Sequence, residues 1–152
     1  MTKTAMNSAN AQIYFQDYYA WITNHVELLR QGKLAEIDGE HVAEELEAMG
    51  RRERRELISR LTILLAHLLK WEFQPAQRSR SWRNTLTIQR SEIAELLDDS
   101  LSLYPEVEQH IDRAYGRARL LAEDETGLDS DAFPMDCPYS FEQILDAAFF
   151  PQ

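Results

Sequence analysis

"RRERRELISRLTILLAHLLKWEF", residues 51–73, decides the fold. Leu57, Leu61, Leu64 and Leu68 recur at steps of four, three and four, the spacing of one helical face. Leu65 and Leu69 widen that face on one side and Ile63 on the other. At about 100° per residue the apolar arc covers roughly two-thirds of the circumference, so this helix belongs at the centre of its domain. Arg52, Arg55, Ser59, Thr62, Ala66 and Lys70 make up the remaining outer stripe. Pro75 sets the end, because the residue before a proline avoids helical angles.

Working outward, the pattern repeats as helix after helix. Tyr14, Tyr18, Trp21, Ile22, Val26 and Leu29 line one face of a helix over about 14–31 that stops at Gly32. Asp38 reads as the N-cap of a helix over about 39–49, with Val42, Leu46 and Met49 on one side. Gly50 either breaks it or kinks it into the leucine-rich helix. A further helix starts near Trp82, capped by Ser79 or Ser81, and runs to about Asp98 with Leu86, Ile93, Leu96 and Leu97 on its face. The next starts near Pro105 and stops at Gly127. "SFEQ", residues 140–143, has the form of a capping box opening a short tail helix. No strand pattern is evident. The expectation is an all-α, compact single-domain helical bundle of about five main helices with a C-terminal helical tail. It spans residues 13–152, and a polar, frayed or disordered N-terminus covers residues 1–12.

Composition bounds the setting. At 152 residues the chain is the size of one domain. Its one cysteine, Cys137, allows no internal disulfide, and "MTKTAMNSANAQIYF" has no apolar signal core. The longest uncharged run in the leucine-rich part, residues 61–69, is far short of the roughly 20 residues of a membrane span. A soluble cytoplasmic protein with no membrane association follows as the expectation.

The formal net charge of −10 argues against nucleic acid as a partner of the whole chain, but the charge is uneven. Residues 51–90 hold ten of the sixteen basic residues and only three acids, a local +7 that leaves −17 for the rest. Either the halves pair internally or the basic segment faces a partner. Arg78, Arg80 and Arg83 are the candidate binding residues, because guanidinium groups grip phosphates and carboxylates, and Trp82 is a stacking platform beside them. The alternative for Trp71 and Trp82 is a place in the core. The acidic run from Glu123 to Asp136 has no basic residue within it, and its placement is eased if it crosses the basic segment.

Candidate chemistry is sparse. His67 lies inside the apolar arc, with Lys70 a turn later and with Gln89 and Arg90 on the next helix. It is either a satisfied core histidine or a buried acid/base group, and a packed pair of helices lets His67 and Gln89 share one network. These four are the weak catalytic candidates. "DGEH" brings Asp38 and His41 three residues apart, but the chain contains no Glu-x-x-His, so no metal site is expected. Cys137 has no adjacent base, and no glycine-rich phosphate loop occurs, so no cofactor is expected either.

"HLLKW", "QP", "RSRSW", "QR", "ETGL", "FP" and "CPYSFEQIL", with "YYAW" and "EELEAMGRRERREL" before them, occur in an order that resembles a bacterial family, the domain-of-unknown-function family numbered twenty-nine. The resemblance runs from about Tyr14 to Phe150. It implies a compact all-helical protein and carries over no activity, cofactor or catalytic residue. Its motif positions include Glu45, Gly50, His67, Lys70, Trp71, Pro75, Arg78, Ser81, Trp82, Gln89 and Arg90. "SLSLYP", residues 100–105, departs from the family's "SPSL" form at Leu101.

Three functional readings stand side by side. The leading one is a non-enzymatic interaction protein that presents residues 51–90 to an acidic protein or a nucleic acid. The second is a small intracellular enzyme with a site around His67. The third is a purely structural role for these groups. The sequence sets no oligomeric state.

Overall fold

Among the described residues, six α-helices and four short 3-10 turns account for the regular structure. The computed structural model describes residues 3–152, with side chains from Ser8 onward. The helices are α1 (Lys3–Gln16), α2 (Tyr18–Arg30), α3 (Gly39–Phe73), α4 (Arg80–Asp99), α5 (Val107–Thr126) and α6 (Phe141–Leu145). No strand occurs among the described residues, so the fold is all-α. Contacts gather in two compact units, Met1–Arg52 and Glu53–Gln152, and the boundary falls inside α3.

In the first unit, the single helix expected over 14–31 is divided at Asp17. Asp17 has non-helical angles (φ −149°, ψ 87°), and its side chain accepts from the Ala20 amide, which makes it the N-cap of α2. From Lys3 on, the segment expected to fray is helix α1. Asn10 ties it down: its amide donates to the Glu36 carbonyl, and its side-chain oxygen accepts from Asn24. Gly32 closes α2 with φ 70°, a left-handed conformation that suits glycine. Asp38 opens α3 as expected: its Oδ1 accepts from the His41 amide. Its Oδ2 accepts from Trp21 Nε1 and His41 Nδ1, so the cap is also the buried hub of this unit. His25 Nδ1 donates to the Trp21 carbonyl, so its Nε2 accepts from the Asp38 amide.

Gly50 neither breaks nor ends the helix: α3 runs for 35 residues through it. In the second unit, Leu57, Leu61, Leu64, Leu65, Leu68 and Leu69 of α3 are fully buried. Burying each stabilises the fold by roughly 2 kcal/mol relative to an exposed side chain. Leu86, Ile93 and Leu97 of α4 join them, as do Ile111, Ala114 and Ala118 of α5 and Ile144 of α6. The leucine stripe is central as read, but the outer stripe needs correction. Ala66 and Lys70 are buried, and the Lys70 ammonium is tolerated there because Glu125, distant in sequence, supplies its carboxylate. Ser79 is the cap of α4, and its Oγ accepts from the Trp82 amide. Pro105 lies in the 3-10 turn Leu101–Glu106, so α5 begins two residues later, at Val107. Gly127 ends α5 with φ 74°. The capping box at Ser140 and Gln143 forms in both directions.

Candidate functional site

Lys70 and Trp82 fix how α3 meets α4. The Lys70 ammonium stands 4.7 Å from the centre of the Trp82 ring, and Arg60 pairs with Glu92 at 3.3 Å. Ten residues back on α3 thus match ten residues forward on α4, an antiparallel register. Lys70 also donates to Glu125 in the last turn of α5 at 2.6 Å. That contact realises the expected crossing of basic and acidic segments through one residue. Among the described residues, Glu123 and Asp124 have no ion pair with the basic segment.

The arginines that follow grip the chain's own tail. Arg90 is buried, and its guanidinium donates to the carbonyls of Ile144 (2.8 Å), Phe149 (2.9 Å) and Gln143 (3.3 Å). Burial lowers its pKa from the ordinary arginine value, and Asp146 opposes the shift. Arg78 donates to the carbonyls of Trp71 (2.8 Å) and Pro151 (3.3 Å). Arg83 lies over Phe150 and Trp71, at 5.0 and 5.6 Å from the ring centres, and those rings meet at 5.0 Å. Several planar cations thus hold one aromatic-ended tail, using the geometry in which arginine differs most from lysine. Arg80 is different: it is exposed and has no partner among the described residues.

The four residues considered for catalysis do not converge. His67 is half-buried and Nδ1 donates to the Ile63 carbonyl at 2.8 Å, one turn back on its own helix. Burial lowers its pKa below the ordinary histidine value, partly opposed by that hydrogen bond. The α3–α4 register sets Gln89 level with Ile63, yet Gln89 Oε1 is buried with no hydrogen-bond partner. The shared His67–Gln89 network is therefore not formed, because the histidine takes the nearer backbone acceptor. Lys70 and Arg90 are engaged with Glu125 and the tail. Cys137 is half-buried, and burial raises the pKa of its thiol. Among the described residues, no group of three or more His, Cys, Asp or Glu side chains is placed to hold a metal ion. No described helix is long and apolar enough to cross a membrane.

The groove that sequence patterning did not single out lies in the first unit. Its volume is about 360 Å³, and its walls are Trp21, Ile22, Val26 and Leu29 of α2 with Val42, Leu46 and Met49 of α3. The lining is almost wholly apolar, with Tyr18, His25, Glu45 and Arg52 at its polar margin. Glu45 is already engaged: its two oxygens accept from the hydroxyls of Tyr14 (2.6 Å) and Tyr18 (2.5 Å). Those bonds lower its pKa below the usual carboxylate value. Arg52 has no ion pair among the described residues, but its charge acts on the Glu45 carboxylate of the same groove and helps to lower that group's pKa. Neither this groove nor a second, acidic cleft between Glu53, Glu56, Glu92 and Glu95 includes His67 among its lining residues. The signal for it in the sequence is the apolar side formed by Val42, Leu46 and Met49.

A family model described as Domain of unknown function DUF29 matches residues 13–150. The chain belongs to this family. The DUF29 match takes in the groove and nearly all of the arginine-held tail. No curated protein and no solved structure matches the chain.

Proposed function

We propose that this DUF29 chain is a non-enzymatic interaction protein whose main docking surface is the groove between α2 and α3. The observation that carries this reading is where apolar side chains remain in water. Of the thirteen exposed large hydrophobic residues among those described, eight lie in the first unit: Phe15, Tyr18, Tyr19, Val26, Leu29, Leu34, Leu46 and Met49. Among the described residues, Trp21 and Leu28 are the buried hydrophobics there. Surfaces of this kind mark protein contacts rather than phosphate backbones. The partner that fits is an apolar protein segment bearing a carboxylate opposite Arg52. A bacterial, cytoplasmic setting goes with this reading, and the free thiol of Cys137 is compatible with it.

A second contact with an acidic partner is favoured at Arg80, which is exposed and unpaired, with Arg83 and the half-exposed Trp82 beside it. The rest of the basic segment contributes less to such a surface, because Lys70, Arg78 and Arg90 are engaged within the fold.

Photo-cross-linking separates the two surfaces. A benzophenone side chain replaces Leu29, and the cross-linked species is compared in Leu46→Asp/Met49→Asp and Arg80→Glu/Arg83→Glu backgrounds. The groove reading expects one discrete adduct, lost in the first background and kept in the second. An adduct that survives the aspartates and vanishes with the arginine reversals overturns it, as does the absence of any adduct.

A further inference from the structure

We infer that residues 146–151 are an internal strap over a binding slot, and that the slot's external ligand is an extended protein segment carrying an aromatic ring flanked by carboxylates. The inference rests on the second contact above, at Arg80 and Arg83, and is independent of the groove.

Missing carboxylates are the first support. Earlier in the basic segment, Arg51, Arg54, Arg60 and Lys70 each meet a carboxylate. Residues 78–90 contain four arginines and no acid. Arg78 and Arg90 donate to carbonyls, Arg83 lies over Phe150, and Arg80 is exposed. Among the described residues, none of these four forms an ion pair, and Asp146 acts on Arg90 without pairing with it. Supply is not the limit, since the chain has 26 acids against 16 Lys and Arg. A carboxylate matches a guanidinium fork in both charge and shape, which a single carbonyl does not.

The way the strap is held is the second support. Helix α6 ends at Leu145, and residues 146–152 are not helical. Past that helix, the arginines reach the strap through the carbonyls of Phe149 and Pro151, groups that any extended peptide offers. One ring fills the slot: Phe150 is 5.0 Å from Trp71, 5.0 Å from Arg83 and 5.7 Å from Arg90. Asp146, Ala147, Ala148 and Gln152 are exposed, so the strap brings no charged side chain into the slot. The slot therefore has a place for one flat ring, with cations before and after it. A protein segment with the same ring and acidic neighbours fills each place and adds the charge that the strap lacks.

Charge elsewhere favours a protein segment over nucleic acid. The total of −10 and the +4 of residues 78–90 leave −14 for the rest of the chain. That field repels a long polyanion, whereas a short acidic segment meets mainly the local arginines. The strap competes with any such ligand at the high effective concentration of a tethered segment. Apparent affinity is then the intrinsic affinity reduced to the fraction of chains whose strap is lifted, so loosening the strap must tighten binding. Lifting it also adds Arg78 and Arg90 to the surface that Arg80 and Arg83 already present.

The test titrates the full chain into a fluorescein-labelled peptide of residues 143–152 carrying Ala148→Glu and Gln152→Glu, followed by anisotropy. The Phe150→Ala chain should bind this acidic peptide at least tenfold tighter than the wild type does. The peptide without the two glutamates should bind at least tenfold more weakly, and adding Arg78→Gln/Arg83→Gln to the Phe150→Ala chain should abolish the gain. A second readout needs no variant: excess acidic peptide should speed exchange of the wild-type Phe149 amide at least tenfold, while the Leu61 to Leu69 amides keep their protection. The inference is overturned if the peptide binds neither chain, if it leaves Phe149 exchange unchanged, or if the glutamates make no difference. Tighter binding of oligothymidylate than of the acidic peptide to the Phe150→Ala chain overturns the assignment to a protein segment. If Arg80→Glu abolishes peptide binding while Phe150→Ala leaves it unchanged, the acidic contact at Arg80 stands and the strap fails.

Discussion

Replacing Arg90 by methionine should free the tail while leaving the leucine core folded. The wild-type guanidinium makes two good hydrogen bonds, at 2.8 and 2.9 Å, and a longer one at 3.3 Å, all to tail carbonyls. A hydrogen bond to a charged group is worth about 1.5–3 kcal/mol, so the two short bonds represent about 3–6 kcal/mol gross. Part of this is offset because methionine removes a cation whose burial is unfavourable. The net loss should be about 3 kcal/mol, which makes tail detachment about two orders of magnitude more frequent, at tenfold per 1.4 kcal/mol. Arg90→Lys should lose about half as much, since one ammonium cannot reproduce a planar fork that spans several carbonyls. Hydrogen exchange reads this directly. The amides of Ile144 and Phe149, bonded to the carbonyls of Ser140 and Asp146, should exchange up to a hundredfold faster in Arg90→Met. Amides of Leu61 to Leu69 should keep their protection. Tail exchange within threefold of wild type would refute the reasoning, because the three bonds would then contribute nothing net.

Other outcomes follow from single contacts. Glu125→Ala should destabilise the chain by about 2–3 kcal/mol and Lys70→Met by about 1 kcal/mol, measured by urea unfolding; the first strands a buried ammonium, whereas the second leaves a carboxylate that reaches water. The Tyr14 hydroxyl is pushed up to about 12, chiefly because it donates to the Glu45 carboxylate. The raised value favours the protonated phenol in the folded chain, so this contribution is intact below about pH 10 and lost towards pH 12. Phenolate absorbance should show two tyrosines, Tyr14 and Tyr18, moving back towards 10 in Glu45→Leu, and an unchanged titration curve would contradict the contacts. Burial lowers the His67 pKa, so its stabilising contribution is present above 6.5 and is lost as the pH falls from there towards its folded value. Imidazole resonances in NMR should titrate below 6.5 with Nδ1 carrying the proton at neutral pH, and a midpoint above 6.5 would contradict the burial.

The features legible in the sequence were those whose cause is local. The leucine steps from Leu57 to Leu68, the serine cap of α4, Gly127 and the Ser140 capping box each depend on residues within a few positions, and each forms as read. Asp17 was as local but was hidden by aromatic periodicity that runs through it. The fate of the cations was not legible. Lys70 meets a carboxylate 55 residues away, and Arg90 meets carbonyls 53 to 59 residues away. Backbone carbonyls leave no mark in a residue-type pattern, so an arginine that binds them reads as unpaired. The groove was hidden for the opposite reason: Leu46 and Met49 share one apolar side with Val42, and only the fold shows that they stay exposed.

Arginine-selective labelling by a glyoxal reagent, followed site by site, tests most directly whether residues 78–90 face inward. Arg80 should react at the rate of a free arginine, Arg83 more slowly, and Arg78 and Arg90 last, with both released when residues 141–152 are removed. If Arg78 and Arg90 label as fast as Arg80 in the intact chain, they do not hold the tail, and the basic segment is an open surface after all.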